Sequence, residues 1–283
     1  MKQSELILNA DGSVYHLALK PNEIAQKIIT VGDPKRVFDV SSFFDKIELK
    51  KENREFVTHT GVFNNQTITC LSTGMGTDNI DIVMNELDAL VNIDLNSRKI
   101  NQNLTSLNIV RLGTSGSILP TIDVDSVLYT KIAIGLEGLL NWYKTEIKSN
   151  TISKWEAAFQ HIDLPVKPTF FEAHQTLEEL FNGSFAPGIT VTTPGFYAPQ
   201  NRQLRLKPSL DIFAELEKIT VDGKRITNVE METAGIYGLA QLLGHKAISI
   251  NVILANRATG VFSKNPQQIM QKTIQKTLEL LCK

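Results

Sequence analysis

Short apolar runs alternate along this chain with segments in which apolar residues recur at helical spacing. Residues 27–31 predict a buried strand that ends at Gly32. Residues 56–63 and 67–71 predict a hairpin whose turn contains the Asn-Asn pair at 64–65, because asparagine tolerates the backbone angles of tight turns. A strand followed by a hairpin is therefore expected in the first quarter of the chain.

A helix is predicted after the hairpin, from apolar residues spaced three and four apart between 80 and 91. Asp78 is predicted as its N-cap, since an aspartate side chain accepts hydrogen bonds from free N–H groups of the first turn. The polar segment 92–106 has no clear apolar period and is predicted to be a surface excursion. Further strands are predicted at 107–112, 127–134, 188–193 and 246–255, and further helices at 170–181, at 229–243 and after Pro266.

Strands that alternate with helices predict an α/β fold. The sequence of 283 residues contains no repeat, low-complexity run or linker, so a single domain over residues 1–283 is predicted. The net charge of −1 argues against a nucleic-acid or anionic-membrane partner, because proteins of those classes usually carry a basic patch. Two cysteines are too few for a disulfide framework, and the N-terminus lacks an apolar signal region. No run approaches the ~18 apolar residues that span a membrane, so a cytoplasmic protein is predicted.

Three short segments each carry an arginine, and two of them are rich in glycine. They are Gly-Asp-Pro-Lys-Arg at 32–36, Asn-Arg-Glu-Phe at 53–56 and Arg-Leu-Gly-Thr-Ser-Gly at 111–116. A guanidinium binds two oxygens of an oxyanion at once, and glycine lets backbone N–H groups approach a ligand. The simpler alternatives are surface turns and an Arg111 that pairs with a carboxylate. If the three segments converge, they predict a phosphate site.

Two further segments predict binding groups of other kinds. The sequence Glu-Met-Glu at 230–232 opens a predicted helix, where acidic residues also suit the helix dipole. Two carboxylates two positions apart on a helix do not share a face, so different roles are predicted for them, one being to hold a sugar diol. In the loop 196–202, Phe196 is suited to stack on a ring, and Gln200 and Arg202 to read a pyrimidine edge, because an amide both donates and accepts. The simpler alternative is a polar loop.

Taken together, these motifs resemble the nucleoside phosphorylase family, and within it the uridine phosphorylases. The family pattern Arg-x-Gly-Thr-x-Gly matches residues 111–116, Ser-Thr-Gly-x-Gly matches 72–76, and Phe-Tyr-x-x-Gln-x-Arg matches 196–202. The resemblance implies a three-layer fold with a central mixed β-sheet flanked by helices. It also implies phosphorolysis of uridine to uracil and ribose 1-phosphate, a pentosyl transfer that serves nucleotide salvage.

The resemblance assigns roles to individual residues of this sequence. Arg111 and Arg257 are implied as catalytic groups, with Arg257 stabilising charge on the departing uracil. His16 and Arg54 match positions that act on the ligands of a neighbouring subunit, so a homo-oligomer with shared active sites is implied. The implied phosphate ligands are Gly32, Arg36, Arg54, Arg111 and Thr114; the ribose ligands are His16, Met231 and Glu232; the base ligands are Phe196, Gln200, Arg202 and Arg257.

Some features depart from the pattern or leave alternatives open. After the match at 72–76 the usual Gly-Pro-Ser is replaced by Thr-Asp-Asn at 77–79, so no metal is predicted. No cofactor is predicted either, since inorganic phosphate is itself a substrate. Purine-specific relatives carry an aspartate near Asn256, and none occurs there in this chain. A purine nucleoside phosphorylase, a nucleosidase and a catalytically silent nucleoside-binding protein remain the alternatives.

Overall fold

A computed structural model describes residues 1–145 and 149–283 of the chain. Most strands join one eleven-stranded mixed sheet, and two short hairpins form separate two-stranded sheets. The helices are α1 (Pro34–Ser41), α2 (Thr77–Asn92), α3 (Asn150–Phe159), α4 (Gln175–Phe181), α5 (Ile212–Glu217), α6 (Thr233–Leu243) and α7 (Pro266–Leu281). The strands are β1 (Lys27–Val31), β2 (Lys46–Asn53), β3 (Phe56–Phe63), β4 (Gln66–Ser72), β5 (Ile93–Asp94), β6 (Lys99–Ile100), β7 (Asn108–Ser117), β8 (Val127–Gly135), β9 (Thr169–Glu172), β10 (Ala186–Thr192), β11 (Thr220–Val221), β12 (Lys224–Arg225), β13 (Asn228–Glu230), β14 (Lys246–Asn256) and β15 (Val261–Phe262).

The predicted α/β class with a central mixed sheet is confirmed. The large sheet has the order β15-β14-β8-β10-β13-β7-β1-β4-β3-β2, with β9 paired to β8. Strands β4, β1, β7 and β14 run parallel to one another, and β13 runs antiparallel to β7. The predicted β1 and the hairpin of β3 and β4 are present, because their apolar residues are buried in this sheet.

The sheet closes on itself over part of its width. Strand β14 pairs with β7 as well as with β8, so the order β14-β8-β10-β13-β7 returns to β14. These five strands therefore form a closed ring. Strands β1, β4, β3 and β2 extend from β7 as an open sheet, whereas β15 pairs with β14 and β9 with β8. The ring positions side chains from five strands next to one another, which matters for the site described below.

Two of the predicted helices begin as strands. Segment 170–181 was predicted to be helical throughout, but its first residues belong to β9, where Phe170 and Phe171 pair with β8. Segment 229–243 likewise begins in β13, and α6 starts only at Thr233. In both cases the apolar residues are compatible with either period over a few positions, and pairing with a neighbouring strand decided the outcome.

Two local predictions also need correction. The helix N-cap is Gly76, and Asp78 lies inside the first turn of α2. Segment 92–106 begins with the last residue of α2 and contains the small hairpin of β5 and β6, so it is not wholly irregular. Within the described residues, no helix is long and apolar enough to cross a membrane.

Candidate active site

The centre of the candidate site is a buried ion cluster around Arg111. Its Nη2 lies 2.6 Å from Glu232 Oε2 and 3.0 Å from Glu230 Oε2, and all three side chains are buried. Arg111 is therefore a partner in a buried ion cluster, and its role as a phosphate ligand stays a prediction. The anion that makes burial of the guanidinium tolerable is supplied by the protein.

Glu230 and Glu232 converge on one cation, Arg111, although on a shared helix they would not lie on one face. They do not share a helix: Glu230 ends β13, and Glu232 precedes the first helical residue, Thr233. Glu230 also accepts hydrogen bonds from the backbone N–H groups of Glu232 and Thr233 and from the hydroxyl of Thr192. Glu230 thus fixes the turn into α6, and this position orients Glu232.

The second oxygen of Glu232 is held from the other side of the site. Its Oε1 accepts a hydrogen bond of 2.8 Å from the backbone N–H of Gly76, in the loop before α2. Burial raises the pKa of Glu232 more than Arg111 lowers it, and the nearby Glu230 carboxylate adds to the rise. Burial alone would lower the pKa of Arg111, but the two glutamates outweigh it and raise that pKa. The two carboxylates therefore stabilise the charged form of Arg111.

Two glycines of β7 leave room for arginine side chains. A Cβ atom on Gly113 would lie 2.1 Å from Nη1 of Arg111, so any side chain at position 113 would displace the guanidinium. A Cβ atom on Gly116 would lie 3.3 Å from Cγ of Arg257, which is tight but not prohibitive. The glycines of the motif at 111–116 are therefore explained by close approach of two different arginines.

The segment 196–202 forms a second cluster, centred on the buried Gln200. The amide of Gln200 accepts a 2.6 Å hydrogen bond from Arg202 and donates one of 3.1 Å to the hydroxyl of Thr193. Arg202 lies over the half-exposed ring of Phe196, with 3.6 Å between the guanidinium carbon and the ring centroid. Arg257 donates a 3.1 Å hydrogen bond to the backbone carbonyl of Gln200. The structure thus brings together all four predicted base ligands.

The two clusters are neighbours. The hydroxyl of Thr193 accepts a hydrogen bond from Gln200, and the backbone N–H of Thr193 donates one to the carbonyl of Glu230. The carboxylate of the same Glu230 pairs with Arg111. Three other predicted ligands lie in or beside elements that carry the clusters or neighbour them in the sheet. Gly32 directly follows β1, and Thr114 and Met231 are half-buried in β7 and before α6.

Two arginines near these clusters have lowered pKa values. Burial lowers the pKa of Arg36, in the first turn of α1, and the nearby Arg111 adds to the effect against the opposing Asp33. Burial and the neighbouring Arg257 lower the pKa of Arg202 to about 10. An anion bound between neighbouring guanidinium groups would offset their mutual repulsion.

His16 and Arg54 lie close to each other, on either side of Tyr15 in their contacts. Nδ1 of His16 is 2.6 Å from a carboxylate oxygen of Glu86, and the amide of Asn53 donates to the His16 carbonyl. Arg54 lies over the ring of Tyr15, with 5.3 Å from the guanidinium carbon to the centroid. In the described residues neither side chain bonds to the Arg111 cluster or to the Gln200 cluster.

Sequence reasoning missed several groups of the site. The backbone N–H of Gly76 and the orienting role of Glu230 depend on segments far apart in sequence and left no signal. Asn251 did leave one, because a polar residue stands in the apolar run of β14. Its Oδ1 accepts a 2.9 Å hydrogen bond from Arg111. Among residues 1–145 and 149–283, no group of three or more His, Cys, Asp or Glu side chains is arranged to hold a metal.

This fold and these clusters define a class of protein. A family model described as the phosphorylase superfamily matches residues 26–283, and the chain belongs to that superfamily. The chain is 31% identical to a uridine phosphorylase of Thermococcus kodakarensis over 258 residues, 90% of this chain and 81% of that protein. The predicted family is therefore confirmed.

Two other relatives place the chain among nucleoside-cleaving enzymes. A crystal structure of a Trypanosoma brucei nucleoside phosphorylase, described as showing uridine phosphorylase activity, superposes with a TM-score of 0.86 at 28% identity, covering 98% of this chain and 99% of that one. A DeoD-type purine nucleoside phosphorylase of Listeria monocytogenes is 24% identical over 248 residues, 87% of this chain and 88% of that protein. The superfamily thus includes both pyrimidine and purine enzymes.

Proposed function

We propose that this protein catalyses the phosphorolysis of uridine to uracil and ribose 1-phosphate. The observation that carries the proposal is the cluster in which Gln200 is held between Arg202 and Arg257 beside the exposed face of Phe196. An amide with a fixed orientation, flanked by donors, suits the carbonyl and N–H edge of a pyrimidine. The absence of an aspartate beside Asn256 in the sequence, where the purine enzymes carry one, points the same way.

In the proposed mechanism phosphate is the nucleophile, so the protein supplies orientation and electrostatics. Phosphate attacks the anomeric carbon while the bond to uracil breaks, and Arg257 stabilises the negative charge that the base takes up. Glu232, anchored by Gly76 and Arg111, is placed to accept hydrogen bonds from the ribose hydroxyls, with Met231 beside the sugar. The transition state carries positive charge on the ribose, which anionic phosphate on one side stabilises.

In this proposal two arginines, Arg111 and Arg36, contribute differently to the binding of phosphate. The terminal nitrogens of Arg111 donate to Asn251 and Glu232, so this side chain contributes chiefly its charge and its Nε–H group. Arg36 has no ion-pair partner among the described residues and is the more available guanidinium. Gly32 and Thr114 add a backbone donor and a hydroxyl. No redox group takes part in the reaction.

Active sites shared between subunits are part of the proposal. His16 and Arg54 lie side by side, yet neither contacts the Arg111 or Gln200 cluster of its own chain within the described residues. This arrangement is what two residues that serve a partner's phosphate and ribose require. The minimal active unit is then a dimer.

The experiment that tests the function compares uridine with inosine, each with and without phosphate. We expect release of uracil that depends on phosphate, and a kcat/KM for uridine that exceeds that for inosine by a factor on the order of 10⁴, since a site built to hydrogen-bond one base edge rejects another. Faster cleavage of inosine would support the purine alternative. Uracil release that is indifferent to phosphate would support a nucleosidase, and no release of either base would support a binding protein.

A further inference from the structure

Asn251 is a fully buried amide in the middle of the apolar strand β14. A buried amide is costly unless its donors and its acceptor are all paired. In Asn251 all of them are paired. Its Oδ1 accepts a hydrogen bond of 2.9 Å from Nη1 of Arg111, and its Nδ2 donates to the hydroxyls of Thr130 at 3.0 Å and Ser249 at 3.1 Å. The orientation of the amide is therefore fixed, because a flipped amide would set two donors against each other.

The hydrogen bonds of Asn251 continue around the closed ring of strands. Thr130 on β8 is 2.6 Å from the hydroxyl of Thr190 on β10, which donates to Asn228 on β13 at 3.0 Å. Asn228 in turn donates to Ser115 on β7, the strand that also carries Arg111. Each neighbouring pair of strands in the ring is thus joined by at least one side-chain hydrogen bond. The members are buried, and the chain of donors runs in one direction from Asn251 to Ser115.

We propose that Asn251 is a positioning residue that sets the orientation of Arg111 for phosphate, with the ring through Thr130 and Thr190 holding the amide in place. The two glutamates fix only Nη2 of Arg111 and leave rotation about that end open. Nη1 donates to Asn251 at 2.9 Å and, at the longer distance of 3.4 Å, to the hydroxyl of Ser249, so Asn251 is the closer of the two groups that fix the plane of the guanidinium. The inference rests on the proposed function only in taking phosphate as the ligand of this guanidinium.

The test uses two isosteric variants of the full-length protein. Asn251→Leu removes the acceptor for Arg111, and we expect the KM for phosphate to rise about tenfold or more, the scale of a lost hydrogen bond to a charged group. Thr190→Val breaks the ring at a position that does not touch Arg111, and we expect a smaller rise of the same kind, about threefold, because the amide keeps its direct bonds. In both variants kcat at saturating phosphate should fall less than the KM rises.

The matched control is Thr277→Val. Thr277 is fully buried in α7, and its hydroxyl has no partner among the described residues. The same change of hydroxyl to methyl should leave the kinetic constants for phosphate unchanged. A purely structural role for the ring predicts lower melting temperatures with unchanged KM values, and that result for Thr190→Val would overturn the proposal even if Asn251→Leu does not fold.

A second measurement separates this inference from the proposed function. Binding of inorganic phosphate alone, followed by calorimetry, should weaken in the order wild type, Thr190→Val, Asn251→Leu. If the wild type does not cleave uridine, the proposed function fails, while this order still supports the positioning role. If the wild type cleaves uridine but the variants bind phosphate as tightly as it does, the positioning role fails and the function stands.

Discussion

Glu137 is the residue whose charge depends most on the fold among the groups not already assigned to the site. It follows β8 near the backbone of Gly135, and both of its carboxylate oxygens are buried without a hydrogen-bond partner in the described residues. Burial, with a smaller contribution from Glu230, raises the pKa of Glu137 to about 7. Its neighbour Thr169 also has a buried hydroxyl without a described partner. The folded protein thus holds the proton of Glu137 up to neutral pH.

This pKa makes stability depend on pH in a definite direction. The unfolded chain releases the Glu137 proton near the ordinary value of 4.5, whereas the folded chain releases it near 7, so stability falls as pH rises between the two. We expect Glu137→Gln to gain stability relative to wild type as pH rises from 5 to 8, by on the order of 3 kcal/mol at most. Urea unfolding at both pH values measures it. Glu279→Gln, at an exposed position of α7, is the control, and an equal gain at pH 5 and pH 8 would contradict the expectation.

At the scale of elements, β7 carries the most information about the site. The strand supplies Arg111 and Thr114, and its glycines make room for Arg111 and for Arg257, which directly follows β14. In the proposed mechanism, the residues of this one strand therefore bear on both the phosphate and the base. This explains why a motif of six residues predicted so much of the site, and why its glycines are not simply turn residues.

The two glycines of β7 predict different kinetic effects. Gly113→Ala places a methyl group against Nη1 of Arg111, which is held by a buried ion cluster and cannot move without cost, so the KM for phosphate should rise by about tenfold or more. Gly116→Ala presses on the stem of Arg257, which is freer to adjust, and should raise the KM for uridine by about threefold. Steady-state kinetics with each substrate varied in turn checks this. The reverse pattern, or equal effects on both substrates, would show that the glycines are needed only for the strand.

At the scale of the whole molecule, the closed ring of strands and the patch of His16 and Arg54 carry separate groups of predicted ligands. The ring gathers the Arg111 and Gln200 clusters within one chain, whereas the patch lies outside both. A chain by itself would then lack one phosphate arginine and one ribose contact. This separation leads to a prediction about the assembly of subunits.

Mixing two inactive variants tests whether sites are shared. Arg54→Ala chains and Arg257→Ala chains are mixed, dissociated and allowed to reassociate. The mixture should regain activity, because one site of each mixed dimer carries both substitutions and the other site carries neither. The expected recovery is about half of wild type per mixed dimer, given two-fold symmetry. The control pair is Arg36→Ala with Arg257→Ala, whose lesions both act within their own chain and which should not recover. Full activity in a monomeric preparation would refute sharing.

The sequence by itself determined the α/β class, the strands whose apolar residues are buried in the sheet, and the residue types at the site. Local periodicity and short motifs carry this information, since each depends on residues close together in the chain. It also determined that Phe196, Gln200, Arg202 and Arg257 belong together, although only through resemblance to a family.

Only the tertiary structure decided how these residues pair. The strand starts of β9 and β13, the convergence of two glutamates on Arg111, and the anchoring of Glu232 by Gly76 all depend on contacts between distant segments. The same holds for the ring in which Asn251 stands, whose five strands meet only because β14 pairs with both β7 and β8. Ion pairs and buried hydrogen bonds form between whichever groups the closed sheet brings within about 3 Å of one another, and a linear pattern does not contain that distance.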